Sequence, residues 1–246
     1  MINGRQIFLL GIDKLKNAID SGQELECVYI DKDFKIDGLG DLKRELSNNG
    51  TPIKVVPIYK LNKIARNHNG VISIPSLINY ESLENVIPGL FEKAKTPAVV
   101  LLDRITDVRN FGAIARSCEA MGIDIAVIPN NERALVNQES IDISTKALIH
   151  LKVARVSSLS RSINFLKLSG LQIVGLDEKS DTSVYEVDLS LPTALVIGSE
   201  FDGISEKCKV LCDKLVKIPM AGKTQSLNAS VAAGIAIYEM HRQRKQ

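Results

Sequence analysis

The sequence has no apolar run approaching the ~18 residues that a membrane-spanning helix needs. Its opening stretch, MINGRQIFLLGIDK, breaks a short apolar patch at Gly11 and Asp13. It also lacks the basic start, long apolar core and small-residue cleavage site of a secretion signal, so a cytoplasmic protein is expected. Histidine is scarce, with three in 246 residues, which argues against a histidine-rich metal centre. The four cysteines, Cys27, Cys118, Cys208 and Cys212, are scattered. Cys208 and Cys212 would share a helix face, but no histidine or second cysteine pair accompanies them. Buried thiols are expected, with neither a zinc site nor a disulfide. Excess charge of one sign is lacking too: 31 Lys and Arg face 29 Asp and Glu, a net of +2. That excludes a nucleic-acid clamp built on bulk positive charge, while leaving room for a small local phosphate site.

Three catalytic signatures also fail. Gly38-Leu39-Gly40 opens like a dinucleotide-binding fingerprint, but Lys43 occupies the third glycine position and no buried strand precedes it. KIPMAGKT, residues 217–224, ends like a phosphate-binding loop, but Lys217 stands at its first glycine position and Pro219 lies inside it. Ser199 follows Gly198, yet a nucleophile elbow would need a glycine where Phe201 stands.

What is present is a soluble globular balance, 45% hydrophobic and 24% charged. At roughly 100–200 residues per domain, the length suits one large domain or two modest ones. The first part alternates helix and strand signals: helix 12–21, strand 24–30, helix 41–47 ended by Asn48-Asn49-Gly50, strand 53–56, helix 59–66 and strand 71–74. Residues 76–95, punctuated by Pro88 and Gly89, read as a connection carrying a short helix over 82–87. A second unit then opens on a buried strand over 98–102. Further strands are expected at 125–128, 153–156, 172–176, 194–198 and 215–218, and helices at about 112–120, 138–148, 158–168, 206–211 and 228–242. Continuous apolar strands alternating with amphipathic helices imply a parallel sheet covered on both faces.

Ligands of open parallel sheets bind beyond the carboxyl ends of strands. Three such ends carry polar clusters. After strand 98–102 come Asp107, Arg109 and Asn110, then a helix entered through Gly112 and carrying Arg116 among small and apolar neighbours. Arg116 suits either a carboxylate partner or a phosphate, which its planar fork matches. The strand ending at Gly198 leads into Ser199 and Glu200, then a turn at Phe201-Asp202-Gly203. The strand ending near Pro219 leads through Gly222 to Ser226-Leu227-Asn228, which opens a helix rich in small residues.

N-x-G-A-I-x-R (Asn110 to Arg116), I-G-S-E-x-x-G-I-S (Ile197 to Ser205) and I-P-M-x-G-x-x-x-S-L-N-x-S-V-A (Ile218 to Ala232) together resemble the SpoU, or TrmH-like, family of RNA ribose 2′-O-methyltransferases. The first residues resemble the family's L30-like substrate-binding domain, with His68-Asn69-Gly70-Val71 similar to its H-Q-G-V. The layout is most similar to members that act on a guanosine of 23S rRNA.

The resemblance implies an α/β protein of two parts: a small L30-like domain over 1–75, a linker over 76–95, and a SPOUT parallel-sheet domain over 96–246 with a trefoil knot. It implies S-adenosylmethionine as cofactor, held by Gly198 and Ser199 through close backbone approach and by Ile218, Met220 and Leu227 around the adenine. Catalytic roles fall to Asn110, Arg116, Glu200, Ser226 and Asn228: Asn110 orients Arg116 or the substrate, Glu200 fixes the loops, and Ser226 and Asn228 complete the site. Ser230 is expected to be structural. Arg5, His68, Asn69 and Arg109 are the candidate RNA contacts. No metal is implied. The implied partners are RNA and a second copy of the chain, joined through the C-terminal domain, with neither DNA nor a membrane. A tRNA target and a non-catalytic RNA-binding ribosome assembly factor are the alternatives.

Overall fold

The computed structural model describes residues 7–224 and 226–245. The chain divides into two units: one runs to Asn79 and includes Leu135–Gln138, and the other holds Tyr80–Ala134 and the chain from Glu139.

The first unit contains β1 (Leu9–Leu10), α1 (Ile12–Asp20), β2 (Leu25–Asp31), α2 (Leu39–Asn48), β3 (Ile53–Val56), α3 (Ile58–Ile64) and β4 (Val71–Pro75). Its sheet runs β1-β4-β2-β3, with β2 and β3 parallel and β4 antiparallel to β1 and β2. The two-residue β1 is too short for a periodic signal, and it exists only by pairing with Ile72 and Ser73. The core joins Leu15 and Ala18 of α1, Leu42 and Leu46 of α2, and Leu25, Val28, Ile30 and Val71 of the sheet. Central β2 also buries Glu26 completely, and its Oε1 accepts the Val136 amide at 2.9 Å.

The second unit starts earlier than its first strand. Where the sequence suggests a connection carrying a short helix over 82–87, Leu83–Glu92 forms α4, which continues through Pro88 and Gly89. Leu83, Val86, Ile87 and Leu90 share a helical stripe buried in the core. Pro88 lies inside α4, where a proline ordinarily costs about 3 kcal/mol, and burial of that stripe offsets it. There follow β5 (Ala98–Leu102), α5 (Val108–Ala120), β6 (Ile125–Pro129), α6 (Gln138–Ile143), α7 (Ala147–His150), β7 (Val153–Val156), α8 (Leu159–Leu168), β8 (Gln172–Leu176), β9 (Thr193–Ile197), α9 (Glu206–Lys209), β10 (Lys214–Val216) and α10 (Ala229–Arg244). The expected helix over 138–148 is broken because Thr145 and Lys146 both take left-handed backbone, at φ 50° and 69°.

All six strands are parallel, in the order β10-β8-β9-β5-β6-β7. β5 and β9 are buried along their whole length, which explains their uninterrupted apolar sequences. α4 and α8 contribute to one core cluster against the sheet. α5 packs against α10, with Ile114, Ala115 and Cys118 of α5 and Ala233, Ala236 and Ile237 of α10 all buried. The insertion of β9 beside β5 pairs Leu102 with Ile197, so these two strands end side by side.

Cys27, Cys118 and Cys208 are buried and Cys212 is partly buried. Burial pushes the Cys118 thiol up to about 12; burial, then Cys208 and Asp213, push Cys212 up to about 12. Thiolate is the reactive form. The native protein should therefore label slowly with a thiol reagent at neutral pH, and first at Cys212, whereas denaturant should release all four thiols. Rapid labelling of more than one native thiol would contradict this packing.

Candidate functional site

The paired ends of β5 and β9 bring together loops that are remote in sequence. Asp107 caps α5, its Oδ1 accepting the amides of Arg109 at 2.8 Å and Asn110 at 2.9 Å. The helix therefore begins at Val108 and not near Gly112, and Arg109 and Asn110 belong to its first turn. Asp107 resembles one more polar loop residue until its cap is seen.

Asn110 and Asn228 form a connected network with Glu200. Asn110 Nδ2 donates to Glu200 Oε2 at 3.1 Å. Asn228 Nδ2 donates to Asn110 Oδ1 at 2.9 Å and to Glu200 Oε2 at 3.2 Å. Asn228 Oδ1 caps α10, accepting the Ser230 amide at 3.0 Å and its hydroxyl at 2.6 Å. Both amide orientations follow from chemistry. The backbone N–H of Ser230 requires an oxygen from Asn228, and the carboxylate requires a nitrogen from Asn110. Ser230 thus serves the network structurally.

Arg116 stands apart. It is exposed on α5, and its side chain makes no hydrogen bond or ion pair with any described residue. Six residues separate it from Asn110, about 240° around a helix at 3.6 residues per turn, which turns it away from the asparagine. Asn110 therefore does not orient it, and Glu200 accepts two side-chain amides with no arginine bond. Arg109 lies seven residues before Arg116, on the same helix face, and is also exposed.

Beyond β8, β9 and β10 opens a cavity of about 400 Å³, within the ~300–1,000 Å³ range of small-molecule sites. Gly198, Ser199, Ile218, Met220 and Leu227 all line it, together with Glu200 and Ser226. Ile197, Ile218, Leu227 and Ala229 supply apolar wall, while Asp177 and Ser199 supply polar positions. Asp177 was not evident in the sequence as a site residue. Burial works to raise its carboxyl, but an ion pair with Lys209 and the Lys179 amide outweigh burial and hold it below the usual carboxylate range.

Gly198 is crowded by the protein itself. A Cβ there would fall 2.1 Å from the Gly203 carbonyl carbon and 2.2 Å from the Ile204 nitrogen. The turn it supports is closed by Ser199 and Gly203, each donating its amide to the other's carbonyl at 3.0 Å. Arg104, also missed from sequence, braces this turn. Its Nη1 donates to Asp202 Oδ2 at 3.3 Å and its Nη2 to the Gly203 carbonyl at 3.1 Å. It does so from a left-handed backbone, φ 58°, which is uncommon for a residue with a side chain. Next to it, Asp103 Oδ2 accepts the Ser205 amide at 2.5 Å.

The expected RNA contacts fare differently. Arg5 lies outside the described residues. His68 is 4% exposed, and both ring nitrogens are engaged: Nδ1 accepts the Gly70 amide at 3.0 Å and Nε2 faces Asn62 Oδ1 at 2.9 Å. It braces its own turn and offers no ring nitrogen outward, a correction that burial alone reveals. Asn69 and Arg109 are exposed.

The profile of the SpoU rRNA methylase family matches residues 97–238, and a profile described as RNA 2′-O ribose methyltransferase substrate binding matches residues 8–76. A putative TrmH family tRNA/rRNA methyltransferase of Staphylococcus haemolyticus is 33% identical over 98% of this chain and 97% of its own length. An uncharacterised tRNA/rRNA methyltransferase of Synechocystis is 37% identical over 96% of this chain, which spans only 62% of that protein. Among solved structures, the SpoU methyltransferase AviRb of Streptomyces viridochromogenes in complex with AdoMet superposes with a TM-score of 0.62 at 27% identity, covering 98% of this chain and 91% of that one. The A. aeolicus TrmH/SpoU tRNA modifying enzyme gives 0.56 at 32% identity, covering 66% and 84%.

The network makes a pH-dependent prediction. Asn228→Asp keeps the cap on Ser230 but sets a second carboxylate against Glu200. Like charges raise a folded-state carboxyl pKa above its unfolded value, so stability returns as pH falls. The deficit in thermal midpoint relative to wild type should be larger at pH 8 than at pH 5; an equal deficit would show that the two side chains do not meet. Asn228→Ala should cost about 1 kcal/mol for the lost cap, together with the two amide bonds.

Proposed function

The chain belongs to the SpoU rRNA methylase family, and on that premise we propose that it uses S-adenosylmethionine to methylate a ribose 2′-hydroxyl in structured RNA, a guanosine of 23S rRNA being the first candidate. The observation that carries this reading is the junction of the cavity with the Asn110–Glu200–Asn228 network at the ends of adjacent strands. The cavity suits such a cofactor: Ile218 and Leu227 offer apolar surface to a flat base, and Ser199 and Asp177 offer polar contacts to a sugar and an amino acid. When bound, the cofactor supplies a methyl group already activated for displacement.

The protein's own task is then to position the hydroxyl and exclude wrong geometries. Glu200, fixed by two amides, holds the cavity's rim in register with α5 and α10. Arg116, free of internal partners among the described residues, is available to fork onto the phosphate beside the target ribose and stabilise developing charge. A guanidinium stays protonated in proteins, so Arg116 removes no proton. That proton leaves to water or to the phosphate. Arg109, on the same face, can hold a second phosphate. Residues 8–76 match a substrate-binding profile, which supports a role in gripping RNA. With near-neutral net charge, that grip depends on shape and a handful of phosphates.

The homodimer and the knot belong to the same proposal. Val231, Ile235 and Tyr238 form an exposed apolar stripe on α10, suited to a second copy. The return of β9 between β5 and β8, with β10 beyond, is compatible with a threaded C-terminal segment. Among the described residues no helix is long and apolar enough to cross a membrane. A tRNA target is the second reading, favoured by the A. aeolicus neighbour's role as a tRNA modifying enzyme.

Calorimetric titration with S-adenosylmethionine should show binding, and methyl transfer to unmodified 23S rRNA transcripts should exceed that to tRNA transcripts. Transfer to tRNA alone would select the second reading, and binding without transfer to either would select an assembly factor. Arg116→Ala should leave cofactor affinity intact and reduce transfer by about 10²–10³-fold, in the range of a lost transition-state donor. Near-full turnover by Arg116→Lys would sink the bidentate phosphate contact.

A further inference from the structure

Phe201 is the most exposed large apolar side chain among the described residues, at 96%. It lines the same cavity as Glu200, its neighbour in sequence. Its backbone is held firmly. The turn from Ser199 to Gly203 is closed by reciprocal amide–carbonyl bonds, and the Asp202 amide donates to Ser199 Oγ at 3.2 Å. Arg104 grips both Asp202 and the Gly203 carbonyl, and the missing Cβ of Gly198 lets the turn press onto the strand end. The turn is thus built with care around a side chain that buries almost nothing. Burying a phenylalanine ordinarily stabilises a fold, a gain this turn forgoes. The chain is sparing with aromatics, six Phe, five Tyr and no Trp, which makes one held out at a cavity rim more pointed.

We infer that Phe201 is a stacking surface for a nucleobase of the RNA substrate, at or next to the nucleotide presented to the cavity. This rests on the methyltransferase reading of the cavity and adds to it a contact with a base instead of with phosphate. A flat apolar ring on a braced turn offers its π-face at little ordering cost. Stacking of this kind tolerates any base, so Phe201 contributes affinity and placement and does not select the nucleotide. The polar contacts of the network cannot replace it, because Asn110, Glu200 and Asn228 already bond one another.

The absence of tryptophan makes the test direct. Phe201→Trp places the chain's single indole at this position. Its fluorescence should be quenched by a mixed-sequence oligoribonucleotide and unaffected by an abasic oligomer of equal length and charge. Phe201→Ala should bind the first oligomer roughly 5- to 150-fold more weakly, the equivalent of ~1–3 kcal/mol for one stacked base, and the abasic oligomer unchanged. Phe201→Tyr should restore the affinity. Equal quenching by both oligomers, or none by either, overturns the inference. So does a Phe201→Ala defect confined to S-adenosylmethionine titration, which would make the ring a cover for the cavity. A defect confined to sedimentation would make it a subunit contact and overturn it as well. None of these outcomes depends on methyl transfer, so failure of the enzymatic reading is seen separately, as absence of transfer by the wild-type chain.

Discussion

The pairing of β9 with β5 is the constraint on which the rest of the site depends. Register from Ala98 opposite Thr193 to Leu102 opposite Ile197 makes two strands almost a hundred residues apart end level. Because both are parallel and buried, their following loops must leave at one edge of the sheet. Asp103 then reaches the Ser205 amide, and Arg104 reaches Asp202 and Gly203. Shifted by one residue, the strand would turn its buried side chains to the other face and none of these bonds would form.

What the register brings close, the asparagine–carboxylate network locks. Glu200 belongs to the turn after β9, Asn110 to the first turn of α5, and Asn228 to the cap of α10. Each member satisfies donors or acceptors of another, so loss of any one strands a polar group on its neighbours. The network works as a joint between helices and sheet, and the adjoining cavity takes its shape from the elements so joined. Arg116 is exempt from that joint, which leaves its charge available to an external anion.

Legibility in the sequence followed physical locality. Strands 53–56, 98–102, 153–156 and 172–176 were readable to the residue, since an apolar run bounded by turn residues carries its own signal. The motif residues lining the cavity were readable by resemblance. The second half of α4 was obscured because Pro88 and Gly89 look like punctuation, although Leu90 continues the helical spacing of Leu83, Val86 and Ile87. The role of Arg104 depends on partners 98 and 99 positions away, which no local pattern announces. His68 looked like a surface contact because its burial depends on the turn it braces. The glycine at Gly198 announces a close approach in the sequence without saying to what, and in the structure its crowding comes from Gly203 and Ile204.

The strand order has a consequence for how the molecule is made. β5, β6 and β7 lie side by side in chain order and precede the rest, so this part of the sheet can assemble as it emerges during synthesis. β8 cannot join it, because its neighbours among the described residues, β9 and β10, are both made later. Until residues 193–197 arrive, β5 presents an open edge and β8 has nothing to pair with. Pairings of such long separation in sequence form slowly. The cavity is therefore late to form, since a ribosome must release the chain through Ala232 before its lining is complete.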